Sequence, residues 1–125
     1  MKIILSVLLT FSTAAAFSQS AVFSVNYRIA KFPKTKEGRL LHYTYLVTNK
    51  GKAPLRIYDA KVECSCTQVE LPEDEIMPGE KAKIEVYFDT NGKYFFQDRL
   101  IILNTNTRRK REKLRLRVFV IPKDN

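Results

Sequence analysis

The sequence predicts an all-β chain: an antiparallel immunoglobulin-like β-sandwich preceded by a cleavable N-terminal signal segment. Three observations predict it. Apolar and polar residues alternate with period two along most of the chain, as half-buried strands require. No long helical period competes with that alternation. Turn-forming Asn, Gly and Pro residues interrupt the pattern at short intervals. A barrel of roughly five or six strands satisfies the same pattern and is the architectural alternative. With 125 residues, 45% of them hydrophobic, the chain suits one domain with an ordinary core and is too short for two.

Residues 21–29 read as the first strand, with Phe23, Val25 and Tyr27 on one side and Val22, Ser24 and Asn26 on the other. Residues 32–38 read as a loop, broken by Pro33 and Gly38. In the second strand, 41–48, Leu41, Tyr43, Tyr45 and Val47 line one face, and His42, Thr44, Leu46 and Thr48 the other. Residues 49–52 form a turn, since Asn49 and Gly51 tolerate positive φ. A third strand, 55–62, leads into Cys64-Ser65-Cys66-Thr67. Residues 71–80 are acidic, carry Pro72, Pro78 and Gly79, and read as a loop. Ala82, Ile84, Val86 and Phe88 alternate with Lys83, Glu85 and Tyr87 in the clearest half-buried strand. Asn91-Gly92 is a hairpin turn. Residues 100–104 are apolar enough for a strand covered on both faces. The last strand sets Leu114, Leu116, Val118 and Val120 against Arg115, Arg117 and Phe119.

The N-terminus has the pattern of a secretory signal. Lys2 is followed by an apolar run from Ile3 through Phe11 and then by small residues Ser12 to Ala16. Ala16 and Ser18 fit the small positions of a cleavage site, giving a signal peptide over 1–18 and a β-sandwich domain over 19–125. The run is short of the roughly 18–20 residues of a spanning helix, so no stable transmembrane anchor is expected. The expected location is outside the cytoplasm: periplasm, cell surface or medium.

Losing Lys2 lowers the formal net charge from +9 to +8. The excess gathers in Arg108-Arg109-Lys110-Arg111-Glu112-Lys113, continued by Arg115 and Arg117. One reading is a contact for an anionic partner through Arg108, Arg109, Lys110, Arg111 and Lys113. The other is a solvated hairpin loop that also protects a strand edge. Nucleic acid is not expected, since export removes the chain from it and no reader motif appears. Glu70, Glu73, Asp74, Glu75 and Glu80 read as a solvated acidic loop without calcium-loop spacing. Tyr94-Phe95-Phe96 stands out, because three consecutive aromatics cannot all face inward.

Cys64 and Cys66 are the sharpest chemical signal. On an extended strand their side chains share a face, with Cα atoms roughly 6.6 Å apart. A disulfide needs a closer approach, and therefore a bend at Ser65. Three readings stand: a structural pair or local disulfide, thiol-redox exchange, and soft-metal binding. His42, the single histidine, sits on another strand and completes no zinc set, so no metal site or cofactor is assigned. No phosphate loop, nucleophile elbow or catalytic triad appears, and no catalytic residue is assigned.

These motifs also carry a resemblance. Residues 43–55, reading YTYLVTNKGKAPL, resemble the Y-x-F-x-F-T-N-x-G-x-x-P-L segment of the bacterial domain-of-unknown-function family 1573. Cys64-Ser65-Cys66-Thr67 resembles that family's C-G-C-T motif, with Ser65 in place of Gly. Pro78-Gly79-Glu80 and the strand ending Phe88-Asp89 are similar to its P-G-E-x-x-x-I-x-V-x-F-D segment, and residues 100–106 to its I-x-V-x-S-N strand. The resemblance covers about 23–120 and implies an exported immunoglobulin-like domain of no settled activity. The expected function is an exported, non-enzymatic binding or accessory module. Its partner is expected to be an envelope or extracellular protein, or an anionic surface. The alternative is thiol-redox or soft-metal handling through Cys64 and Cys66.

Overall fold

A computed structural model describes residues 19–124. The expected signal segment, 1–18, lies outside these residues. The alternation resolves into strands β1 (Phe23–Val25), β2 (Ile29–Lys31), β3 (Thr35–Lys36), β4 (Leu40–Asn49), β5 (Ile57–Val62), β6 (Thr67–Glu70), β7 (Lys81–Asp89), β8 (Phe95–Thr105) and β9 (Arg111–Ile121). One sheet has the order β1-β4-β7-β6, the other β2-β9-β8-β5, with β3 also on β9. Among the described residues no helix is long and apolar enough to cross a membrane.

The two sheets face each other because each has one apolar side. Tyr45, Val47, Ile84, Val86 and Phe88 line the inner side of the first sheet, and Ile101, Leu103, Leu114, Leu116, Val118 and Val120 that of the second. All are buried, and each large one contributes about 1.5–3 kcal/mol by leaving water. The Tyr45 hydroxyl crosses the core and donates to the Arg115 carbonyl at 2.5 Å, joining the sheets by a polar contact. Burial pushes its phenol well above the ordinary tyrosine range.

The expected sandwich class holds, with three corrections of detail. The first predicted strand is two. β1 pairs antiparallel with β4, whereas β2 pairs parallel with β9, so the chain changes sheets at 26–28 and leaves Tyr27 exposed. The predicted loop 32–38 contains β3, a second short parallel partner of β9. Residues 100–104 belong to a strand of 11 residues that is covered on one face only. Ile101 and Leu103 are buried, while Leu100 and Ile102 lie half-exposed on an outer face that no other layer among the described residues covers.

The β8–β9 hairpin turns through 106–110, where Lys110 adopts φ 63° and its N–H donates to the Thr107 carbonyl. A left-handed residue with a Cβ is disfavoured where glycine is free. Lys110→Gly is therefore expected to raise stability by up to about 1 kcal/mol in a denaturant melt. A loss of stability would mean that the lysine side chain outweighs the backbone cost.

Candidate functional site: a stapled corner and a basic sheet face

The Cys64–Cys66 segment forms the corner at which the chain passes from β5 in the second sheet to β6 in the first. The two cysteines are joined by a disulfide across a Cα–Cα distance of 5.2 Å. The bend that this requires is a turn in which the Thr67 N–H donates to the Cys64 carbonyl at 3.2 Å. The Cys66 N–H points at the Cys64 Sγ, 3.3 Å away. Ser65 does not have positive φ, so serine replaces the family's glycine without backbone strain. Cys66 packs against the core, and Ser65 is exposed.

The loop so closed is very short, and its entropic worth is correspondingly small. Cys64→Ser/Cys66→Ser is expected to lower stability by about 1.5 kcal/mol at most. The purified parent is expected to show no reactive thiol until it is reduced. Two freely reactive thiols in the unreduced protein would refute the bonded state.

The basic run is divided by the fold. Arg108, Arg109 and Lys110 are exposed in the β8–β9 turn. Arg111 and Lys113 project from the outer face of β9. Glu112, between them, points inward and is only 5% exposed. It accepts from Arg28 Nη2 at 3.0 Å and from the Thr107 hydroxyl at 3.4 Å. A cleft of about 240 Å³ opens there, with Arg28, Arg108 and Arg109 around the buried carboxylate and Ser20–Phe23 as its other wall.

Strand register extends the cationic group beyond the run. Along the outer face of the second sheet, Arg111, Lys113, Arg115 and Arg117 alternate down β9. Lys31 stands beside Arg117 on β2, and Lys61 lies opposite Ile102 on β5. Asp98 divides its two oxygens between Arg115 Nη1 and Arg117 Nε, each at 3.1 Å. Asp59 bonds the Asn104 side chain. The face ends in exposed Phe96 and Phe119, directly opposite each other. Arg115, Arg117 and Lys31 extend the sequence-assigned basic set. Alternation in the last strand signalled the two arginines, whereas the parallel pairing that brings Lys31 alongside left no local signal.

The outer face of the first sheet differs: Lys81 and Lys83 are offset by Glu70, Glu85 and Asp89. On it, Glu85 accepts from the Thr44 hydroxyl at 2.5 Å and contacts His42 Nε2 at 2.5 Å. The histidine ring stacks on Tyr87 with centroids 4.6 Å apart. The Thr44 hydrogen bond, seconded by that to His42, holds the Glu85 carboxyl below its ordinary value. A lowered folded pKa stabilises above the unfolded carboxylate range, and that contribution is lost as pH falls through the folded value. Thr44→Val is expected to move the Glu85 titration upward in a carboxyl-detected NMR experiment. An unmoved titration would remove the hydroxyl as the cause.

Of the acidic loop, Glu75 pairs with Arg56, and Glu80 accepts the Met77 N–H at 3.1 Å. Glu73 and Asp74 are exposed, as a solvated loop requires. Among the described residues no cluster of three or more His, Cys, Asp or Glu side chains is arranged to hold a metal ion.

A family model described as "Protein of unknown function (DUF1573)" matches residues 23–120. The chain belongs to this family. The resemblance drawn from its strand and cysteine motifs is thereby borne out over the same span. A protein of unknown function from Porphyromonas gingivalis W83 is similar in structure, with TM-score 0.72 and 15% identity over 88% of this chain. The Vibrio cholerae VesB protease aligns with TM-score 0.61 and 14% identity over 79% of this chain. A PapD-like domain of human CEP192 aligns with TM-score 0.57 and 11% identity, covering 100% of this chain and 99% of its own. The chain spans about half of the P. gingivalis protein (51%) and about a third of the protease (31%). At these identities the likeness is one of fold. No curated protein matches the chain.

Proposed function

We propose that this DUF1573 domain is an exported, non-enzymatic binding module that meets an envelope partner through the outer face of its second sheet. One observation carries the reading. Cationic side chains from three strands share that face with exposed aromatics, while the opposite outer face is balanced in charge. A face on which Lys31, Lys61, Arg111, Lys113, Arg115 and Arg117 outnumber Asp59 and Asp98, and which also exposes aromatic surface, suits recognition of an acidic partner better than solvation alone.

The test is site-specific photo-cross-linking in living cells. A cross-linker at Leu100 or Lys113, on the basic face, is expected to capture a partner. One at Thr44 or Lys83, on the other outer face, is expected to capture none. Equal or reversed yields would overturn the assignment of the face. Export is tested separately, by fusing residues 1–18 to a reporter that is active only outside the cytoplasm.

Thiol–disulfide exchange is a second reading, favoured by the partly exposed position of the Cys64–Cys66 bond at the sheet corner. It requires the disulfide to equilibrate with an exported dithiol protein. A bond that stays oxidised in a glutathione series spanning the redox range of the envelope would end that reading.

A further inference from the structure

The end of the basic face that carries Phe96 and Phe119 continues onto Tyr94 and Phe95. Tyr94, Phe95 and Phe96 are consecutive, and all three are exposed. Phe95 stands opposite buried Val120, where alternation would turn it inward, but it adopts φ 64°, a conformation that bulky side chains rarely take. Backbone strain of this kind persists only where the surroundings impose it, and it gathers at functional positions. Here the strain holds out a ring that is 60% exposed instead of turning it into the core.

The ring is not isolated. Phe95 lies 6.2 Å from Phe119, centroid to centroid, and Phe96 stands opposite Phe119 across the β8–β9 ladder. Cations surround the group. Lys34 Nζ sits 5.7 Å from the Phe119 centroid, and Lys31, Phe96, Phe119 and Arg117 line one shallow groove. The nearby carboxylate of Glu37 is occupied by the backbone N–H groups of Gly92 and Lys123, and Asp98 by its two arginines.

We propose that this aromatic end seats in the surface of an anionic phospholipid bilayer, with Phe95, Phe96 and Phe119 at acyl depth and Lys31, Lys34 and Arg117 among the headgroups. The proposal deepens the reading of the domain as an exported binding module and rests on it. Apolar rings ringed by lysine and arginine are the side-chain arrangement of proteins that lie in a bilayer interface. The rings stand together at one end of the sandwich, where β8 begins and β9 ends, and all are exposed. A second copy of the chain would bring like charges together around the rings.

The test is co-sedimentation of the exported protein with vesicles of equal parts phosphatidylglycerol and phosphatidylcholine, against phosphatidylcholine alone. The protein is expected to bind the anionic vesicles, more weakly as salt is added, and to leave the neutral ones. Phe95→Gly permits the same backbone and removes the ring. It is expected to weaken binding at least about tenfold while melting no earlier than the parent. Lys31→Glu and Lys34→Glu are each expected to cost about fivefold or more.

Equal affinity for both vesicles, or unchanged binding by Phe95→Gly, would overturn the proposal. So would dimerisation in ultracentrifugation that the same variants abolish, since the occupant would then be a second copy. If vesicle binding fails while cross-links from Leu100 persist, the lipid proposal falls and the binding-module reading stands. If vesicles bind while Leu100 captures nothing, the lipid proposal stands and the wider basic face loses its role.

Discussion

Asn49→Ala is expected to cost about 4 kcal/mol or more, a large share of the stability of a domain this size. Asn49 is fully buried at the end of β4. Its Oδ1 accepts the N–H groups of Val22 and Gly51, at 3.2 and 2.9 Å. Its Nδ2 donates to the carbonyls of Ala53 and Ile76, both at 2.8 Å. One side chain thus ties β1, the β4–β5 turn and the loop before β7 to a single point. Alanine leaves the Val22 and Gly51 N–H groups and the Ala53 carbonyl facing a small void, each costing about 1–3 kcal/mol if water does not replace the amide, while the Ile76 carbonyl keeps the Leu55 N–H. Asn49→Asp separates the two halves of the site. It keeps an acceptor for Val22 and Gly51 but turns a carboxylate oxygen toward two carbonyls, and is expected to be as damaging. A chemical-denaturation midpoint close to the parent for either variant would refute the hub.

Gly51→Ala is expected to be the second most damaging change, at about 3 kcal/mol. A Cβ at this position would lie 2.2 Å from the Ser20 carbonyl oxygen and 2.6 Å from the Val22 nitrogen. Both are backbone atoms, and both belong to a segment held by the turn: the Lys52 N–H donates to the Ser20 carbonyl, and the Lys50 N–H to that of Val22. The added methyl therefore detaches the segment before β1. Hydrogen exchange is expected to rise first at Lys50 and Lys52. Uniform loss of protection throughout the domain would instead point to a diffuse packing defect.

Both positions were legible as a turn, but for the wrong reason. Residues 49–52 were read as a turn because Asn and Gly tolerate positive φ, and neither Asn49 nor Gly51 uses that tolerance. The asparagine is there to be hydrogen-bonded, and the glycine is there for closeness. Neither property has a period or a local signature, because the partners lie in other parts of the chain. The strands were legible wherever one face is buried, as in β4, β7 and β9, since alternation records burial directly. β2 and β3 were not, being too short to alternate and stabilised by pairing with the far end of the chain.

The candidate site was readable in the same uneven way. The cysteine pair was found from spacing, although only the folded corner supplies the bend that closes the bond. The basic run was found as a block of charge, but a block has no direction. Alternation sends Glu112 inward to Arg28 while Arg111 and Lys113 go outward. Phe95 was marked only by the impossibility of turning three neighbours inward together.

The change of sheets between β1 and β2 has a bearing on the order of folding. Arg28 and Glu112, which meet beside that crossing, are 84 residues apart. Among the described residues β2 has no neighbour other than β9, so it waits for the last strand to be in place. The β8–β9 hairpin, by contrast, closes over a short turn and can form early. Such distant pairing raises the entropic barrier and slows folding. Until β9 arrives, Leu114, Leu116, Val118 and Val120 are missing from the core, so the half-made chain, with apolar surface on β4 and β7 only partly covered, is the state most prone to aggregate.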